Sequence, residues 1–172
     1  MKWRYKDLTK REQFALLKRS FANPARTGIA AVAALLAARL MGSQEAYWAP
    51  MTTIIIIQSS VGTALTVAWQ RLVGTALGAA AGALVSTWFG TSLIVYAVGV
   101  FGIGLLCAAL RLDRPAYRFA GITLTIVMFA AHAEPTWWIA LHRFCEVSLG
   151  IVVGMIALAL WPERPEKATM NP

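Results

Sequence analysis

The chain has 172 residues, of which 58% are hydrophobic and only 14% charged, with a mean hydropathy of +0.60. A soluble domain carries about a quarter charged residues, so this composition excludes one of ordinary kind and points to a small all-α polytopic membrane protein. The net charge of +8 does not read as nucleic-acid binding, because the excess sits in the N-terminal arm and in loops of one side, where the positive-inside bias places it, and anionic lipid headgroups are its expected partners.

Residues 1–23 are polar and basic, with Lys2, Arg4, Lys6, Lys10, Arg11, Lys18 and Arg19. Phe14, Leu17 and Phe21 fall at i, i+3 and i+7, so the arm reads as an amphipathic helix able to lie on a membrane surface. The span that follows is too long for the apolar core of a signal peptide. Asn23-Pro24 reads as a cap and first-turn proline opening a new helix. The first span is then 24–42, with Arg26 near its entry and Arg39 near its far end. The second is 46–65, opened by the interfacial aromatics Tyr47 and Trp48, with Pro50 in its first turn. A short connection within 59–66 leads to the third span, 68–89, which puts Arg71 about one turn inside. Ionisable residues within spans are costly and mark functional sites by default. Gly74, Gly78 and Gly82 share one face of this span, as in small-xxx-small packing.

The fourth span is 92–110. The charged turn Arg111-Leu112-Asp113-Arg114-Pro115 leads to the fifth, 116–131. His132-Ala133-Glu134-Pro135 leads to the sixth, 136–161, and the polar tail 163–172 follows Pro162. Cys107 and Cys145 are isolated in apolar segments and read as packing residues. Six spans put both termini on one side. That side collects the arm, Arg71, Arg111, Arg114, Arg118, Arg164 and Lys167, so both termini are expected to be cytoplasmic. The location expected is a bacterial inner membrane, crossed several times.

The third and sixth spans repeat one pattern. Arg71 is followed by Gly78 and Gly82, Arg143 by Gly150 and Gly154, and the spans end in Trp88 and Trp161. Tyr47 and Tyr117 each open the span before. Three spans per unit make the second unit enter from the opposite face, a 3+3 inverted repeat. Arg71 would then lie toward the inner leaflet and Arg143 toward the outer one.

These residues resemble the fusaric acid resistance / aromatic acid exporter superfamily over about 24–162. The resemblance rests on Tyr47-Trp48-Ala49, on Gln58 after an aliphatic run, on Arg71, Gly74, Thr75 and Gly78, and on Arg143, Phe144, Glu146, Val147 and Gly150 with Trp161-Pro162. Ser59 stands where members often have proline. The superfamily is distantly similar to the aluminium-activated malate transporters, six-span anion channels that pair as dimers. The resemblance implies export of aromatic or other carboxylic acids. It also implies that a single module self-associates, most simply as a homodimer.

The candidate path for a small organic anion bears Arg71 and Arg143, whose planar guanidinium matches a carboxylate's two oxygens. Against this, Glu146 lies at i+3 from Arg143 and can neutralise it. Tyr47, Trp48, Gln58, Thr75 and Arg26 are further path candidates. Gln58, as an amide in mid-span, needs a partner. His142 and Glu146 make only two ligands, so no metal or other cofactor is expected, and no catalytic motif suggests an enzyme. The alternatives are a membrane assembly or accessory protein that transports nothing, and a passive anion channel. A topology reporter fused after Pro172 is expected to read out in the cytoplasm; a periplasmic readout would reverse the orientation.

Overall fold

The computed structural model describes residues 10–43, 45–59, 61–129 and 135–161. They form six α-helices in chain order and, among the described residues, no strand. The first nine residues, the turn at His132 and Glu134, and the polar tail lie outside the described residues.

Helix α1 spans Lys10–Leu40 with Pro24 inside it. The expected new start at Asn23-Pro24 is therefore not made. A proline within a helix removes one backbone hydrogen bond. Here Arg26, half a turn on, is fastened to carbonyls of two other helices, and that tertiary anchor holds the helix across the defect. At the other end Gly42 takes φ +79°. Its N–H bonds to Arg39 O at 3.0 Å, and the N–H of Ser43 bonds to Ala38 O at 3.2 Å. This is the Schellman pair, which needs a residue free of a Cβ at the left-handed position.

Helix α2 is only Trp48–Gln58, and α3 runs over Val61–Phe89. The chain turns at Ser59, which is extended, so residues 61–65 belong to α3 and not to the second span. Arg71 consequently lies about three turns inside its helix rather than one. With eleven residues, α2 is about 16 Å long, roughly half the thickness of a hydrocarbon core. Helix α4 is Leu93–Ala109, α5 is Arg114–Phe129 and α6 is Thr136–Leu160. The α4–α5 turn is tied to α3 by Gln70 Nε2, which donates to Asp113 Oδ2 at 2.8 Å. Among the described residues two helices, over Gly62–Phe89 and Thr136–Leu160, are long and apolar enough to cross a membrane.

The glycine stripes decide the packing. The face of Gly74, Gly78 and Gly82 lies against Ala116, Phe119, Ala120, Leu124 and Val127 of α5. Gly150 and Gly154 lie against Ala49, Thr52, Thr53 and Ile56 of α2. Residues 49, 53 and 56 thus take on α6 the places that 120, 124 and 127 take on α3. The neighbour pattern as a whole survives the same exchange. α1 touches α2 and α6 while α4 touches α5 and α3, α3 crosses α6, and α2 and α5 do not meet among the described residues. The register differs by one residue from the expected pairing of Tyr47 with Tyr117. The counterpart of Trp48 is Phe119, and Tyr117 instead packs at Gly104.

The buried clusters are rich in small residues, such as Ala34, Ala38, Ala46 and Ala49, or Ala64 and Ala68 beside Ile56 and Leu158. Large apolar side chains point outward instead, as at Leu93, Ile94, Trp88 and Phe101. In water such an exterior would associate. In lipid it is the solvent-facing surface, and small residues inside let helices pack closely. The protein is a membrane protein by this criterion.

A Cβ at position 78 would lie 2.9 Å from backbone atoms of Ala120, whereas one at Gly102 would meet nothing within 4 Å. Gly78→Ala is therefore expected to lower stability in detergent by about 1–3 kcal/mol through overpacking. Gly102→Ala should leave stability unchanged or raise it, because alanine is the better helix former. Thermal unfolding of the two variants side by side checks this.

Candidate functional site

Among the described residues three buried arginines stand on three helices: Arg26 on α1, Arg71 on α3 and Arg143 on α6, each at most 7% exposed. Their partners differ in kind, and the difference decides what each can do.

Arg26 is answered by helix ends. Its Nη1 donates to Trp161 O at 2.7 Å and its Nη2 to Ile57 O at 3.4 Å. Carbonyls at a helix C-terminus lack intrahelical donors and carry the negative end of the dipole. Arg26 thus locks α1 to the last turns of α2 and α6. Gln58, beside it in sequence, is an exposed residue at the end of α2 and not a mid-span amide, because the helix stops there.

Arg71 is answered by neutral groups. Its Nε donates to Thr52 Oγ1 at 3.1 Å, and its guanidinium carbon sits 4.7 Å from the centre of the Phe119 ring. Among the described residues it makes no ion pair. Thr75, one turn along α3, is buried as well.

Arg143 is answered by charge. Nη1 bonds Glu146 Oε2 at 2.9 Å, and Nη2 pairs with Glu45 Oε2. The other oxygen of Glu146 accepts from the Ser43 hydroxyl, which the Schellman turn at Gly42 delivers. Tyr47 OH donates to Glu45 Oε2 at 3.1 Å, and its ring lies 5.6 Å from that of Trp48. The Arg143 guanidinium carbon is 4.8 Å from the centre of the Trp48 ring. Each of the two repeat-related arginines therefore lies over an aromatic ring at the same repeat position, Phe119 and Trp48.

The two guanidiniums share α2 as a neighbour. They lie against consecutive turns of α2, since Thr52 Oγ1 donates to Trp48 O at 3.0 Å while accepting from Arg71. Trp48, Tyr47, Arg143, Glu146 and Arg71 thus form one neighbourhood, with the buried Thr75 one turn along α3 from Arg71. Arg26 and Gln58 belong to the far end of α2. Thr52, Phe119, Ser43 and Glu45 are members that the sequence reading did not single out. The repeat would have exposed Phe119 had its register been set by Trp48, and Thr52 is one helical turn after Trp48. Nothing local marks Ser43 or Glu45, which lie outside the helices.

The sequence matches the family described as fusaric acid resistance protein-like over residues 31–157. It is also 30% identical over 146 residues to the inner membrane protein YeeA of Escherichia coli K12. That alignment covers 81% of the chain and 40% of the relative, so the chain spans about two fifths of the length of the protein it matches. No solved structure matches.

Removing one side of a buried ion pair strands the other charge. Arg143→Met is accordingly expected to destabilise the protein by about 3–5 kcal/mol. The double variant Arg143→Met, Glu146→Leu should recover part of that loss, read from unfolding midpoints in detergent.

Proposed function

We propose, given that this chain belongs to the fusaric acid resistance protein-like family, that it is a transporter moving small organic anions, aromatic or other carboxylic acids, across a bacterial inner membrane. The observation that carries the reading is Arg71. A permanent cation is held 7% exposed among helices with a hydroxyl and a ring for partners and no counter-charge among the described residues. Such a charge is expensive in an apolar medium unless an anion comes to it. Arg143, one turn away along α2, Trp48 and Thr75 extend the same neighbourhood.

In this reading six membrane segments, the short α2 completed by the residues flanking it, leave both termini cytoplasmic, as two inverted units of three. The exchange of neighbours between α1–α3 and α4–α6 supports the repeat. Two copies of the chain form the working unit, each with its own pair of arginines.

One observation favours a second reading, an assembly or accessory protein without transport. Arg143 is buried and already holds two carboxylates, and Arg71 is buried too. Flux of radiolabelled benzoate into proteoliposomes separates the two. Wild-type protein is expected to conduct it, Arg71→Ala to lose at least about tenfold, the loss of one charged hydrogen bond, and Arg71→Lys to retain part. Wild-type flux unaffected by Arg71→Ala removes this arginine from the path. No flux of any aromatic or aliphatic carboxylate leaves the assembly reading.

A further inference from the structure

The two carboxylates on Arg143 are not alike. Glu146 is on the same helix, 4% exposed, and held at both oxygens by Ser43 and Arg143. Glu45 lies before α2, outside any helix, and its side chain is 41% exposed. One guanidinium already faces two carboxylates, so it has no spare positive charge to offer. A third carboxylate added there would meet repulsion in a medium of low dielectric constant. An anion can therefore reach Arg143 only by exchange, and Glu45 is the group that water already touches.

The donors point the same way. Glu45 pairs with Nη2, while the neighbouring Nε of Arg143 is buried without a hydrogen-bond acceptor among the described residues, as is Nε1 of the adjoining Trp48. Nε and Nη2 form the side-on edge of a guanidinium, which a free carboxylate grips with both oxygens. A tethered Glu45 that shares its Oε2 with Tyr47 OH takes half of that edge. A cavity of about 190 Å³ borders Ser43, His142 and Glu146, and the rest of its wall is Ala38, Met41, Trp138, Leu141, Cys145 and Leu149. An apolar space of about 150 Å³ already accepts benzene.

We infer that Glu45 is an internal stand-in for the ligand's carboxylate, holding the Nη2 position of Arg143 until an acid with an apolar body displaces it. The inference rests on the proposal that organic anions are handled at this site. Exchange of one carboxylate for another leaves the charge of the cluster unchanged and completes the side-on pair. It makes Glu45 a selectivity device as well, because a neutral analogue cannot replace it.

Calorimetric titration of the purified protein in detergent with benzoate, and with benzyl alcohol as the neutral probe, tests this apart from transport. If Glu45 is displaced about a tenth of the time at rest, removing it tightens binding about tenfold. Glu45→Gln is expected to bind benzoate about tenfold tighter than wild type, with no gain for benzyl alcohol. Tyr47→Phe, which frees Glu45 without removing it, should shift affinity the same way by less, and serves if the first variant fails to fold. Unchanged or weaker benzoate binding in both variants overturns the inference, as does an equal gain for the alcohol. Wild-type protein that binds benzoate as expected yet conducts none sinks the transport reading and leaves the role of Glu45 standing.

Discussion

Close approach of backbones at the glycine faces of α3 and α6 is the constraint on which the rest depends. At Gly78 and Gly150 the facing carbonyls of Ala120 and Ala49 stand where a side chain would otherwise be. In lipid no hydrophobic effect pulls helices together, so contact has to come from packing of this kind. Each arginine of the repeat is two turns before its central glycine. The helices are therefore already close where the guanidinium emerges, and it is drawn into the interior instead of reaching a surface.

Once three cations are inside, their neighbours determine their roles. Carbonyls at helix ends make Arg26 a clamp, and that clamp carries α1 past Pro24. A hydroxyl and a ring leave Arg71 with no counter-charge among the described residues. Two carboxylates make Arg143 the centre of a small ionic cluster whose outer member is half in the open. Thr52 and the ring of Trp48 connect the last two through one turn of α2. A helix too short to cross a bilayer alone is thus the shared wall of the neighbourhood.

Much was legible from residue types and spacing. The helical class, α4 and α6, both glycine faces and the burial of Arg71, Arg143 and Glu146 follow from hydropathy and period, which act locally. Boundaries near Pro24 and at 59–65 were not legible. A proline and a serine signal breaks, yet whether a helix ends there depends on anchors such as Arg26 that lie far off in sequence. The register of the repeat was misread by one residue for a similar reason. Two tyrosines look alike in a string, whereas facing glycines show that Trp48 and Phe119 are the equivalent pair.

The amino-acid sequence by itself determined that this protein lives in a membrane, that its helices pack on glycine, and that Arg71 and Arg143 are held inside. Hydropathy, period and the cost of charge in lipid depend on residue type alone. Only the tertiary structure decided what each cation faces. The hydroxyl of Thr52, the ring of Phe119 and the exposed carboxylate of Glu45 come from segments whose meeting is set by helix packing, and no spacing along the chain encodes that.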